Sequence, residues 1–213
     1  MDDSEVRAEE GVQAGVPHFD PGTNVLLLSP ALEPAGRQAC GALSTGSRST
    51  GRDVLVVTFT DTPDDVIQRL RSQVTATAPS KIGIISVGDS TRSATATDGG
   101  GPTGPVAIST LSSPGDLTGM GITITEQLSD WVGDGNQIAI CFDSLSMLLQ
   151  YADIDRAFRF LHVITGRLRS VDAIAHFHMD PTVHDERSLN TIKTLFDTAV
   201  EFEDDGSWHV TRK

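Results

Sequence analysis

The chain has 213 residues, a length that suits one domain with a sizeable hydrophobic core. It carries 29 acidic and 16 basic residues, for a formal net charge of −13, and its only lysines are Lys81, Lys193 and Lys213. This balance leaves no basic stripe for a phosphate backbone, so nucleic-acid binding is not expected. An acidic chain that prefers arginine to lysine is typical of a protein kept soluble in concentrated salt, with an ordinary acidic cytosolic protein as the alternative.

Membrane and export signals are not expected either. No apolar run reaches the roughly eighteen residues that a membrane span needs. The N-terminus lacks the basic segment followed by an apolar one that marks a signal peptide. Cys40 and Cys141 stand far apart in the chain, and we expect them to be reduced thiols in a cytoplasmic protein without membrane contact.

Residues 1–21 are acidic and lack sustained apolar periodicity, which predicts a disordered or loosely attached tail. Residues 22–213 are predicted to form a single domain, because short apolar runs alternate there with amphipathic stretches, as in βαβ units on a parallel sheet. The predicted strands are residues 25–28, 53–59, 82–87, 106–110, 137–142, 173–179, 198–202 and 208–210, the last two forming a closing hairpin around residues 204–206.

The predicted helices lie between these strands. They are residues 37–43, 66–74, a segment within 116–131, and then 154–170 and 186–196. Residues 90–105 are rich in Ser, Thr and Gly, which predicts a mobile loop or an insertion. The run 137–142 is continuously apolar and ends in Asp143, so it is predicted to be the central strand.

The loop after the first predicted strand is where a nucleotide-binding fold holds phosphates. Aligned to GxxxxGK[ST], residues 31–38 keep the second glycine as Gly36, replace lysine by Arg37 and put Gln38 at the magnesium-binding hydroxyl. Glu33 adds negative charge to the anion site and Pro34 removes a backbone donor. The segment therefore predicts a degenerate phosphate loop, with Gly36, Arg37 and Gln38 as vestigial nucleotide-binding residues.

The end of the predicted central strand is the second candidate. A carboxylate at Asp143 would hold a metal-bound water beside a phosphate site, with Ser144 next to it. The structural alternative is that Asp143 caps the following turn with help from Ser144. Because the phosphate loop is degenerate, we favour the alternative.

Two further segments carry a resemblance to a known family. Residues 56–66 read VVTFTDTPDDV and resemble the KaiC segment in which a strand ends in two catalytic glutamates before a Pro-Asp helix start. Thr60 and Asp61 stand at those two positions. Residues 141–145 (CFDSL) resemble the Walker B strand, and residues 148–151 (LLQY) match the stretch that follows it. Over residues 24–202 the chain is similar to the RecA/KaiC superfamily, specifically a haloarchaeal, transducer-like branch of KaiC-like proteins.

The resemblance implies an α/β fold, a RecA-like P-loop-type three-layer sandwich with a mostly parallel central sheet and a C-terminal β-hairpin. Because the lysine, the Ser/Thr hydroxyl and the paired glutamates are all missing, it implies a pseudo-ATPase that acts in regulation or signal transduction through a protein partner or self-association. No cofactor is expected under that interpretation. The alternative is a weakly active ATPase that binds ATP and magnesium with Arg37, Asp61 and Asp143.

Three histidines near the end of a predicted strand are weak metal candidates. His176 and His178 alternate and so share a face, while His184 lies just beyond, with Asp180 and Asp185 nearby. The spacing matches no established metal motif, so no metal site is predicted, and the two aspartates are expected to form a turn and a helix cap.

Two other features have ordinary structural explanations. Cys40, with no histidine beside it in the sequence, is predicted to be a small core residue. The arginines of the helix at 154–170 indicate either a subunit interface or a solvated face; they are Arg156, Arg159, Arg167 and Arg169.

Overall fold

A single sheet of nine strands carries six α-helices in the part of the chain that the computed structural model describes, which is residues 9–13, 18–31, 34–45, 51–72, 78–88, 105–202 and 207–213. The strands are β1 (Glu9–Gln13), β2 (Asn24–Leu28), β3 (Arg52–Thr58), β4 (Lys81–Val87), β5 (Val106–Leu111), β6 (Gln137–Asp143), β7 (Ile174–Met179), β8 (Thr198–Phe202) and β9 (Trp208–Arg212). Their spatial order is β1-β9-β8-β2-β7-β6-β3-β4-β5.

The sheet is mostly parallel. The strands from β8 to β5 in that order pair in parallel, whereas β9 pairs antiparallel with β8 and β1 antiparallel with β9. The predicted mixed α/β fold with a C-terminal hairpin is therefore confirmed. Strand β6 is the fourth of the seven parallel strands, so it is the central strand, as its continuous apolar run predicts.

The helices form a layer on each face of the sheet. They are α1 (Pro34–Thr45), α2 (Pro63–Ser72), α3 (Leu117–Trp131), α4 (Leu145–Tyr151), α5 (Ile154–Ser170) and α6 (Glu186–Lys193). On one face, Leu43 of α1 packs with Leu27 of β2, and Val66 of α2 packs with the apolar side chains of β3. Helices α3 to α6 cover the opposite face, where Phe142 of β6 is fully buried. Alternate residues of each strand thus serve different layers, as the period of two requires.

Local capping fixes where the helices on the second face begin. The carboxylates of Asp116, Asp153 and Asp185 accept hydrogen bonds from backbone N–H groups of the first turns of α3, α5 and α6. Helix α4 was not predicted; the Ser144 hydroxyl caps it by accepting from the Met147 N–H at 3.3 Å. None of the helices in the described ranges is long and apolar enough to cross a membrane.

Strand β1 falls inside the segment that the sequence predicts as a tail. Its backbone pairs with β9, with Glu10 opposite Val210. The domain boundary at residue 22 stays a prediction. The predicted loop at 90–105, apart from Pro105, and the hairpin turn at 204–206 lie outside the described residues.

Candidate functional site

The carboxyl ends of three neighbouring parallel strands bring Ser29, Asp143 and His178 together, and we refer to these three residues as the strand-edge site. Ser29 follows β2, Asp143 ends β6, and His178 lies near the end of β7 between them. His178 Nδ1 is 3.3 Å from Asp143 Oδ1, and His178 Nε2 is 2.8 Å from Ser29 Oγ. The imidazole therefore bridges the hydroxyl and the carboxylate, and both of its nitrogens are engaged.

Asp143 remains ionised in this setting. Burial would raise the pKa of its carboxyl group, but the hydrogen bond and charge interactions with His178, together with the charge of Arg69, outweigh burial and lower the pKa. The predicted capping role of Asp143 is wrong, because Ser144 alone caps α4 and Asp143 turns to His178 instead. Strand pairing explains the contact: β6 and β7 are neighbours whose ends meet at one edge.

Gly36 packs the start of α1 tightly onto the strand-edge site. A Cβ atom added at Gly36 would lie 2.2 Å from Ser29 Oγ and 3.2 Å from His178 Nε2, so only glycine fits without movement. The glycine that sequence analysis assigns to a phosphate loop is thus pressed against two side chains of the sheet. Arg37 and Gln38 belong to α1, and their side chains lie outside the described residues.

Asp61 stands in the turn after β3 and is held by neighbours of its own. Its carboxylate forms an ion pair with Arg69 of α2, and its backbone N–H donates to Thr58 Oγ1 at 3.0 Å. The backbone N–H of Phe59 donates to the Asp143 carbonyl at 3.1 Å, which ties this turn to the end of β6. The two acidic residues of the predicted nucleotide site therefore each have a basic partner within the fold.

The predicted histidine group divides into separate environments. His184 Nε2 lies 2.9 Å from Ser146 Oγ, and burial lowers the pKa of His184. Asp180 accepts from the backbone N–H groups of Ala31 and Thr182, each at 2.9 Å, so it holds the loop after β2 and the turn after β7. Asp180 and Asp185 act as the turn and cap residues that the sequence predicts.

The third histidine, His176, belongs to a buried cluster that sequence analysis missed. Cys40 of α1 and Cys141 of β6 form a disulfide, and His176 Nε2 lies 3.0 Å from Cys40 Sγ. The expectation of two separate reduced thiols is therefore wrong, as is the view that Cys40 has no histidine nearby. Helix α1 crosses the sheet face on which Cys141 and His176 sit directly opposite each other in the β6–β7 register. The contact joins residues 101 positions apart, so no local pattern could reveal it.

A groove of about 680 Å³ lies between α3 and α5, on the face of the sheet opposite α1. Its apolar surface includes Ile122 and Val163, which are 54% and 67% exposed. Three arginines of α5 also line it, namely Arg156, Arg159 and Arg167. The Nε atom of Arg167 is buried and has no hydrogen-bond partner among the residues that the structure describes. The groove combines exposed aliphatic side chains with positive charge, in a chain whose net charge is negative.

Solved structures with a similar fold include the following three. One is protein PH0250 from Pyrococcus horikoshii OT3, with 16% identity, a TM-score of 0.55 and coverage of 89% of this chain and 86% of that one. Another is the uncharacterised protein PH0321 from Pyrococcus horikoshii in complex with an unknown peptide, with 12% identity, a TM-score of 0.56 and coverage of 91% and 84%. A third is an ATPase from the type III secretion system of pathogenic bacteria, with 10% identity, a TM-score of 0.52 and coverage of 87% of this chain and 52% of that one.

These similarities, with the sheet order and the helix layers, place the chain in the RecA-like ATPase fold class. Residues 22–202 match the model of a family of unknown function, DUF7504, and the chain belongs to that family. No curated protein matches the chain.

Proposed function

We propose that this protein is a RecA-like module that does not hydrolyse nucleotide and that acts in regulation or signal transduction by holding a protein partner. The arrangement of the strand-edge site supports the loss of catalysis. Asp143 is bonded through Oδ1 to His178, and Asp61, in the turn after β3, is paired through Oδ2 with Arg69, so a basic side chain inside the fold competes with a magnesium ion for each carboxylate. The degenerate phosphate loop at Gly36, Arg37 and Gln38 is part of the same proposal.

The observation that carries the partner-binding role is the groove between α3 and α5. Exposed Ile122 and Val163 supply an apolar surface that water solvates poorly, and such surfaces mark sites of protein contact when they are contiguous and rimmed by polar groups. Charge favours an acidic partner, because the three arginines of the lining, Arg156, Arg159 and Arg167, outnumber its one acidic residue, Glu126.

The occupant that fits this chemistry is an amphipathic helical segment of another protein, with aliphatic residues on one face and Asp or Glu beside them. Its carboxylates would pair with the guanidinium groups of Arg156, Arg159 and Arg167. The net charge of −13 repels an acidic partner over long range, but in molar salt that repulsion is screened within about 3 Å, so the local contacts decide binding. The unknown peptide bound by PH0321, a protein of similar fold, supports a search among peptides.

The test uses two sets of synthetic amphipathic peptides with the same aliphatic pattern, one bearing Glu and the other Lys at the polar positions. We expect the Glu set to bind in molar potassium chloride and Val163→Asp to weaken that binding at least about tenfold, since a buried aliphatic contact is worth more than about 1.4 kcal/mol. Arg159→Glu should weaken the Glu set and strengthen the Lys set. Fluorescence anisotropy of labelled peptides measures the affinity of each peptide set for the wild-type protein and for both variants.

Val183→Asp is the matched control, because Val183 is 63% exposed but lies outside the groove, and it should leave affinity unchanged. Equal binding of the two peptide sets, or equal effects of the two valine substitutions, would contradict the proposed site. A protein that is dimeric in solution and becomes monomeric with Val163→Asp would also contradict it, since the occupant would then be a second copy.

We further propose that the protein belongs to a haloarchaeal, KaiC-like branch of its fold class and works in the cytoplasm. The acidic composition and the preference for arginine over lysine support salt adaptation. The CFDSL and LLQY segments support the KaiC-like assignment, since they fall on the end of the central strand and on α4.

A further inference from the structure

We propose that Cys40, Cys141 and His176, which we name the Cys–Cys–His cluster, bind one borderline-soft divalent cation of the Zn²⁺ class once the disulfide between the two cysteines is reduced. The cluster is separate from the groove that carries the proposed function. Its three side chains come from α1, β6 and β7, and all three are buried.

The placement of the donor atoms suits one ion. One ligand atom from each residue, two sulfurs and an imidazole nitrogen, lies within 4.8 Å of the other two. With Zn–S bonds of about 2.3 Å and Zn–N bonds of about 2.0 Å, ligands on one tetrahedral ion stand roughly 3.5–3.8 Å apart. The Cα atoms of Cys40 and Cys141 are 6.5 Å apart, so breaking the S–S bond lets the sulfurs separate toward this spacing by side-chain rotation.

The chemistry of the donors matches the same class of ion. Thiolate and imidazole are the ligands that Zn²⁺ prefers, and two thiolates with one neutral imidazole cancel the charge of a divalent cation. The buried cluster then carries no net charge, which avoids the cost of placing an isolated ion in an apolar interior.

His176 directs its Nε2 atom at the same position as the two sulfurs. Nε2 faces Cys40 Sγ at 3.0 Å, and Nδ1 is buried with no hydrogen-bond partner in the described part of the chain. In the oxidised protein Nε2 carries the ring proton and donates it to Cys40 Sγ, because a disulfide sulfur has no hydrogen of its own. When a cation binds, the ring proton is carried on Nδ1 and the Nε2 lone pair faces the cation.

A cation can replace the disulfide only after the S–S bond has been reduced. A dithiol reductant supplies two electrons and two protons, the S–S bond breaks, and two thiols form while the reductant becomes a disulfide. The cation then displaces both thiol protons to solvent, forms two metal–sulfur bonds and accepts the Nε2 lone pair. In either state, through the disulfide or through the cation, Cys40 of α1 is linked to Cys141 of β6. Cys40 lies four residues after Gly36, and Cys141 lies two residues before Asp143. The position of α1 against the strand-edge site is thus kept under oxidising and reducing conditions.

The test is a titration of the full chain with Co²⁺, a coloured substitute for Zn²⁺, after reduction and removal of the reductant under nitrogen. We expect one Co²⁺ per chain, with thiolate-to-cobalt charge-transfer absorption in the near ultraviolet that Zn²⁺ abolishes by displacement. His176→Ala should weaken cobalt binding by more than about 100-fold, since losing one of three protein ligands costs more than the 10- to 100-fold lost with a residue that only hydrogen-bonds a ligand.

His184→Ala is the matched control and should leave the titration unchanged, because His184 bonds Ser146 and is not part of the cluster. The oxidised protein should bind no Co²⁺ at the cluster. Absence of the charge-transfer band in reduced wild-type protein that circular dichroism shows to be folded would overturn the proposal, and so would a band that His176→Ala leaves at full affinity.

Discussion

Reduction of the Cys40–Cys141 disulfide, with a chelator present to keep the cluster free of metal, is expected to lower the thermal midpoint of unfolding by about 10 °C. The bond joins residues 101 positions apart, so it removes a large share of the freedom of the unfolded chain. For a loop of this length the chain-entropy model gives about 3–5 kcal/mol, and a domain of this size loses roughly 2–4 °C per kcal/mol.

Circular dichroism melts of oxidised and reduced protein at one salt concentration measure this effect. The double variant Cys40→Ala/Cys141→Ala serves as the control, since its midpoint should not respond to reductant. A shift of less than about 2 °C in the wild type would mean that the disulfide contributes little to the folded protein in solution. Restoring the midpoint of the reduced protein with Zn²⁺ would link this result to the cation site.

Asp53→Asn is expected to stabilise the protein by about 2–3 kcal/mol at pH 8, and by almost nothing at pH 4. Asp53, at the start of β3, has a fully buried side chain. Burial, the hydrogen bond to Asp134 and the charge of Asp134 raise the pKa of Asp53 to about 6 from an ordinary 3.8. Asparagine reproduces the protonated acid, because its oxygen accepts from Asn136 and its amide donates to Asp134.

The sign of the pH dependence follows from the raised pKa. Above pH 6 the folded protein holds Asp53 ionised at a cost that the unfolded chain does not have, and this cost disappears as the pH falls from about 6 to 4. The pKa of Asp134 is lowered to about 2, chiefly by its hydrogen bond to Lys81, so Asp134 does not titrate in the folded protein within this window. Urea unfolding of both proteins at pH 4, 6 and 8 measures the difference, and a gain that is equal at all three would contradict the account.

Much of the fold follows from local patterns in the sequence. The apolar run from Ile138 to Phe142, within the predicted strand 137–142, predicts the central strand because a parallel strand covered on both faces needs apolar residues at successive positions. The phased aliphatic residues of α5 predict its length equally well, since one face packs on the sheet. Sequence analysis missed helix α4 because seven residues directly after a strand are too few to show a helical repeat of apolar positions. Ser144, just before it, is nevertheless a normal helix-capping residue.

The candidate sites depend on contacts that the sequence does not encode locally. The Asp143–His178 contact follows once β6 and β7 are known to be neighbours, but strand order is a property of the whole sheet. Cys40 reaches Cys141 because α1 crosses back over the sheet. The groove depends on how far apart α3 and α5 pack, so the exposure of Val163 could not be distinguished from core burial by periodicity.

The most direct test of the central claim, a RecA-like module without nucleotide turnover, is calorimetric titration of the protein with ATP and magnesium in molar potassium chloride. We expect no heat of binding and no rise in thermal midpoint at millimolar ATP, because Asp61 and Asp143 are each engaged by a basic side chain and the phosphate loop lacks its lysine. Micromolar binding that both Arg37→Ala and Asp143→Ala weaken would contradict the claim, and release of phosphate from the bound ATP would then establish the alternative, a magnesium- and ATP-binding ATPase that uses Arg37, Asp61 and Asp143.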